Sequence, residues 1–354
     1  MPSTRLLGLA VAAVAALGLA VPPAGATPPV PAGPSGPAIG LDDRPTAVVS
    51  LGDSAISGEG AGDYEPGTRG ENGDWCHRSP NALIHKTALA QRTVNLACSG
   101  ANAANVSLAD TTHYTEGSQA RRLIEVARAN RVTAVVLQVG ANDDPAFTDS
   151  IVGCIKKWLN PFGSGCAATL RTQWPQRLAA MAPKVEVAVN DIKSALRQAG
   201  YADGSYRVVV TSYASPVTEK MDEIAHGPQG CPLRLADAAY GRTEAVPQFG
   251  DAFRGVAART GVSFLDFSRA TEGHEACSGN ADKSGEWQNR ITVDPYAWAY
   301  GGLDAVGIHM AQQSFHPNAT GHAQLGRCVT EFVTSGSQSA RCLVGADGNL
   351  HAVA

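Results

Sequence analysis

Four short stretches carry residue types that could do chemistry together. They are Gly52-Asp53-Ser54, Cys98-Ser99-Gly100-Ala101-Asn102, Gly140-Ala141-Asn142-Asp143 and Ser314-Phe315-His316-Pro317-Asn318. A serine hydroxyl becomes a nucleophile when a histidine removes its proton. A glycine lets its backbone N–H approach a ligand closely, and an asparagine amide can donate to a developing oxyanion. Each stretch alone is weak. A Gly-Asp-Ser turn often only caps a helix, most such glycines are turn residues, and a lone histidine is more often structural. His309 and His322 flank His316 and read as such bystanders.

The elements that must position these residues come next. Thr46–Leu51 (TAVVSL), Thr93–Ala97 and Val132–Val139 (VTAVVLQV) are short apolar, β-branched runs, and they read as buried strands. The first three motifs follow them directly. In parallel sheets the ligand crevice lies outside the carboxyl ends of the strands. Arg207–Ser212 and Val262–Phe267 are two further strand candidates. A helix is expected from Ser118, as cap, to Asn130. A long one is expected over Pro175–Gln198, with Leu178, Met181, Val185, Val189, Ile192 and Leu196 recurring at steps of three and four and Pro183 as a kink. The last helix should begin near Pro317 and bury Leu325, Val329 and Phe332. Residues 56–80 read as a long loop, 140–174 and 218–258 as loop-rich excursions, and the tail after Cys342 as featureless. Strands alternating with helices predict an α/β sandwich on a parallel sheet.

Composition bounds the rest. The chain of 354 residues is 44% hydrophobic and 17% charged, which suits one sizeable α/β domain and argues against disorder. A formal net charge of −4, without any Lys/Arg-rich run, gives no reason to expect a nucleic acid or anionic membrane as partner. Residues 1–26 read as an export signal: Arg5, an apolar run from Leu6 to Val21, then Ala24-Gly25-Ala26 before the cut. No twin arginine and no cysteine flanks that cut. Residues 27–43 read as a Pro/Gly/Ala-rich linker, 44–342 as the globular domain that carries the four stretches and 343–354 as a tail. Eight cysteines follow the signal, an even number that in an exported chain implies disulfides. They allow roughly a hundred pairings, of which sequential pairing is the simplest. No C-x-x-C occurs and no histidine stands at zinc spacing, so neither a metal nor a redox cofactor is expected.

The four stretches come in order, and three of them end apolar strands. Together they resemble the SGNH branch of the GDSL hydrolases, on Ser54, Gly100, Asn142 and His316. The resemblance spans about residues 46–333 and is close to the secreted actinobacterial esterases. It rests on the blocks GDSAISGEGAGDY (52–64), CHRSPNA (76–82), ACSGA (97–101) and SFHPNATGH (314–322). It implies a three-layer α/β/α sandwich with a central parallel sheet and ester hydrolysis without a metal or other cofactor. Ser54 would be the nucleophile and His316 the base, with an oxyanion hole of the Ser54 and Gly100 N–H groups and the Asn142 side chain. Many members carry Asp three residues before the histidine, where this chain has Gln313. The expectation is that the backbone carbonyl of Gln313 orients His316, with Asp304 as a remoter substitute. The resemblance also implies the pairs Cys76–Cys98, Cys154–Cys166, Cys231–Cys277 and Cys328–Cys342. The expected substrate is an acyl ester of a lipid or small molecule, acted on by a monomer. A carbohydrate O-deacetylase or phospholipase, or a non-catalytic binding module on the same scaffold, are the alternatives. An α/β-hydrolase is disfavoured because G-x-S-x-G is absent, a metalloprotease because H-E-x-x-H is absent, and a nucleotide enzyme because G-x-x-x-x-G-K-[ST] is absent.

Overall fold

The computed structural model describes residues 40–160, 162–279, 282–294, 297–305 and 308–354. The expected signal, and the linker up to residue 39, lie outside them. Gly40–Ala354 form one compact unit. It begins inside the stretch read as linker: Leu41–Asp43 make a turn of 3-10 helix, and Leu41 packs against the core.

The main sheet has seven strands: β1 (Thr46–Gly52), β2 (Arg92–Asn95), β3 (Arg131–Gln138), β4 (Arg207–Thr211), β5 (Ser263–Asp266), β6 (Ser339–Val344) and β7 (Leu350–Val353). Their order is β2-β1-β3-β4-β5-β6-β7. All neighbours are parallel except β6 and β7, which are antiparallel. Burial on both faces explains why the strands read as continuous apolar runs. Val49, Leu51, Val135 and Leu137 enter one core, while Val48, Ala134 and Val136 enter the other.

Helices cover both faces. The first core is closed by α2 (Gln119–Ala129), α4 (Ala167–Gln198) and α5 (Val246–Thr260). The second is closed by Ile56 of the short α1 (Ser54–Ser57) and by Leu325, Val329 and Phe332 of α6 (Ala319–Ser335). The result is the three-layer α/β/α sandwich expected. Ser118 caps α2, its hydroxyl accepting from the Arg121 N–H at 3.2 Å. Among the described residues no helix is long and apolar enough to cross a membrane.

Several expectations are corrected. Stretch 140–174 holds a helix, α3 (Phe147–Trp158), and α4 begins at Ala167 rather than Pro175. Its early start is held by tertiary contacts: the Ala167 N–H donates to Asp237 at 2.8 Å, and Trp174 is buried. Both Pro175 and Pro183 lie inside this one helix. Stretch 218–258 contains most of α5. Pro247, Gly250 and Gly255 dilute its periodic signal, yet Phe249, Phe253, Val256 and Ala257 face the core. Gly250 lets the helix approach the sheet, since a Cβ there would lie 3.1 Å from Asp266 Oδ1. The last helix starts at Ala319, with Asn318 as its cap and Pro317 outside it. Residues 343–354 are no loose tail. They carry the end of β6 and all of β7, and Glu331 and Gln324 of α6 accept the N–H groups of Ala352 and Leu350 at 3.0 and 2.9 Å.

Four disulfides link Cys76–Cys98, Cys154–Cys166, Cys231–Cys277 and Cys328–Cys342. The first staples the loop after β1 to the loop after β2. The last fixes α6 to β6.

Candidate active site

β1 ends in Gly52, and the chain turns sharply into α1 at Asp53-Ser54. Only glycine fits that turn. Its φ is 138°, and a Cβ would lie 1.9 Å from the carbonyl of Gln138 on the neighbouring strand. The buried Gln119 amide holds Gly52 from both sides, accepting from its N–H at 2.7 Å and donating to its carbonyl at 2.8 Å. Asp53 caps α1 through the Ala55 N–H at 3.1 Å and accepts from the Tyr213 hydroxyl. Burial pushes the Asp53 carboxyl up to about 7, against the lowering effect of those two hydrogen bonds. Tyr213 also accepts from the Ala141 N–H at 3.2 Å, so it joins the serine turn to the Asn142 turn.

Ser54 and His316 meet above this turn. The Oγ to Nε2 distance is 2.7 Å, and both side chains are half-buried. His316 Nδ1 lies 3.0 Å from the carbonyl oxygen of Ser314. A carbonyl can only accept, so Nδ1 carries the hydrogen and Nε2 keeps its lone pair toward the serine. Burial lowers the His316 pKa, opposed by the charge of Glu59 and by the Ser314 carbonyl.

The expected role of Gln313 is therefore corrected by one residue. Its carbonyl instead closes a turn with the backbone N–H of His316 at 3.3 Å, and its side chain donates to Asp294 at 3.0 Å. Phe315 has a φ of 59°. That left-handed step turns the chain so that the Ser314 carbonyl faces the imidazole two residues on. Ser314 is itself pinned by Thr292, through bonds of 3.0 and 3.1 Å. Asp304 accepts from the Trp75 indole at 2.8 Å and serves that ring.

The other predicted residues converge on the same strand ends. Gly100 has a φ of 79°, and a Cβ there would lie 3.2 Å from the Tyr114 hydroxyl. Asn142 follows Gly140, whose missing Cβ makes room for Phe253. One amide hydrogen of Asn142 goes to the Ala101 carbonyl at 3.0 Å, which leaves the second for a ligand. His309 stacks on Trp75 and bonds Gln312 at 2.7 Å. His322 is buried, and its Nδ1 accepts from the Leu83 N–H at 3.2 Å. Burial pushes its pKa down to about 4. Both remain outside the Ser54–His316 pair.

Sequence reasoning missed Ser314, and it missed a buried set beside the pair: Glu59, His77, Ser99 and Gln312. Three of these lie within the motif blocks 52–64, 76–82 and 97–101, but Glu59 sits in a glycine-rich stretch that reads as plain loop. Among the described residues, two groupings have metal-ligand geometry: Cys76, Cys98 and Glu116, and Cys154, Cys166 and Asp237. In each, both cysteines are spent in a disulfide, which leaves one carboxylate.

The family model described as the GDSL-like Lipase/Acylhydrolase family matches residues 50–324. Among solved structures, phospholipase A1 from Streptomyces albidoflavus NA297 is similar, at 22% identity and a TM-score of 0.54. The match covers 83% of this chain and 100% of that one. An extracellular lipase from Streptomyces rimosus is similar at 21% identity and a TM-score of 0.52, over 82% and 100% of the two chains. No curated protein matches the sequence. At these identities the structural likeness speaks for the fold.

Proposed function

Because the chain belongs to the GDSL-like lipase/acylhydrolase family, and so is a carboxylic ester hydrolase, we propose that it is a secreted serine esterase. Ser54 is its nucleophile and His316 its base. The observation that carries this is the 2.7 Å contact between Ser54 Oγ and a His316 Nε2 whose other nitrogen is held by the Ser314 carbonyl.

The steps follow from that geometry. Ser54 Oγ attacks the acyl carbonyl carbon while His316 Nε2 takes its proton. The resulting oxyanion accepts from the N–H groups of Ser54 and Gly100 and from Asn142 Nδ2. One such donor is typically worth about 3–4 kcal/mol of barrier. His316 returns the proton to the leaving alcohol, and the acyl group stays on Ser54. Water then attacks the acyl carbon and gives a proton to His316; the acyl–Oγ bond breaks, His316 returns that proton to Ser54 Oγ, and the acid is released. The Ser314 carbonyl holds the tautomer and supports the imidazolium by its dipole, which is weaker than a full carboxylate charge.

Export is supported by the signal-like residues 1–26 and by four disulfides, which persist in oxidising surroundings. The test is hydrolysis of p-nitrophenyl esters from acetate to palmitate by the mature protein and by Ser54→Ala. Turnover lost in the variant supports the serine mechanism, and the preferred chain length separates a deacetylase from a lipase. A folded, disulfide-intact wild type that cleaves none of them overturns the simple esterase reading.

A further inference from the structure

One buried carboxylate takes no part in these steps. Glu59 is fully shielded from solvent, and its carboxylate is met by the side chains of Tyr64, His77 and Ser99. Its Oε2 accepts from Ser99 Oγ at 2.7 Å and lies 2.8 Å from His77 Nδ1. Its Oε1 accepts from the Tyr64 hydroxyl at 3.0 Å. Burial alone would raise its pKa. The charge and hydrogen bond of His77, then His316 and Ser99, outweigh this and hold it below the ordinary glutamate value. A group so surrounded stays ionised.

Its place in the fold joins the two halves of the site. On one side the next residue, Gly60, packs on His316: a Cβ at Gly60 would lie 3.1 Å from the His316 Cβ and 2.9 Å from the Pro317 carbonyl. Asn289 locks this contact. Its amide donates to the Gly60 carbonyl at 2.9 Å and its N–H to the His316 carbonyl at 2.8 Å. On the other side Ser99 immediately precedes Gly100. The Ser99 hydroxyl also accepts from Gln312 Nε2 at 2.6 Å, four residues before His316. Three loops thus meet at one carboxylate.

We propose that Glu59 is a positioning residue: it supplies, at one remove, the negative charge that the Ser–His pair lacks, and it fixes the oxyanion loop through Ser99. This role rests on the Ser54–His316 reading above. The imidazole is faced by Glu59 and His77 from the loops after β1 and by His322 from α6, and the Gln313 side chain beside it donates to Asp294. His77 and His322 can add only positive charge. Glu59 therefore favours the imidazolium that forms when Ser54 gives up its proton.

The experiment compares pH profiles of kcat/KM for wild type, Glu59→Gln, Glu59→Asp and Ser99→Ala, with Ser54→Ala beside them. Glu59→Gln is expected to move the acid limb about one pH unit lower and to cut kcat about tenfold, with KM little changed. Glu59→Asp keeps the charge and should return the limb toward the wild-type pH. Ser99→Ala should lower kcat about tenfold without moving the limb. A folded Glu59→Gln protein whose limb coincides with wild type overturns the electrostatic role. If Glu59→Gln does not fold, wild-type kcat in Ser99→Ala overturns the proposal instead. An active Ser54→Ala would sink the serine reading itself, whereas an inactive one beside an unmoved limb sinks only the role of Glu59.

Discussion

Ser54 Oγ and His316 Nε2 lie 2.7 Å apart although 262 residues separate them in the chain. The contact joins the end of β1 to the loop before α6.

The base in this contact must be neutral to act, so activity is lost as pH falls through the His316 pKa. Burial holds that pKa below the ordinary histidine value. The acid limb of kcat/KM is therefore expected below about 6.5. A limb clearly above that value, measured on a neutral ester with the enzyme stable throughout, would contradict the burial argument.

Asn142→Ala removes one donor from the proposed oxyanion hole. It is expected to lower kcat by about a hundred- to a thousandfold while changing KM little. The variant also loses the 3.0 Å bond to the Ala101 carbonyl, so its folding is to be checked by its thermal midpoint. Wild-type kcat in a folded variant would remove Asn142 from the mechanism.

Asp53 makes a prediction about stability rather than rate. Its carboxyl is pushed up to about 7 from an ordinary 3.8, so the folded state holds its proton more tightly than the unfolded chain. The stability it contributes is present below pH 4 and is lost as pH rises to about 7. Asp53→Asn cannot lose that proton. Whatever the fixed effect of the substitution, the variant should gain a few kcal/mol on wild type between pH 4 and pH 8. Denaturant midpoints across that range test it, and two parallel stability curves would refute it.

The Cys76–Cys98 bridge closes a loop over a sequence separation of 22 and stands two residues before Gly100. Replacing both cysteines by serine should cost about 3 kcal/mol of stability. It should also lower kcat more than it raises KM, because Ser99 and Gly100 lose their anchor. An unchanged kcat at a lowered melting temperature would confine the bridge to stability.

The sequence by itself determined the strands that carry the site. TAVVSL and VTAVVLQV read correctly because a parallel strand buried on both faces needs an unbroken apolar run. It also placed Ser54, Gly100 and Asn142 at strand ends, since each follows such a run directly. Elements whose stability comes from partners were not legible. α5 carries Pro247, Gly250 and Gly255; Pro247 stands in its first turn, and only packing against the sheet explains Gly250. β7 is a strand because β6 and α6 supply its hydrogen bonds. The choice between the Gln313 and Ser314 carbonyls turned on the left-handed φ of Phe315, which a phenylalanine does not announce. Glu59 looked like loop until folding brought Tyr64, His77 and Ser99 around it. Local pattern reports which groups exist and which side of an element they occupy. Which carbonyl faces a ring, and which charge is sealed beside it, depends on chain segments far apart in sequence, and only the tertiary structure decides that.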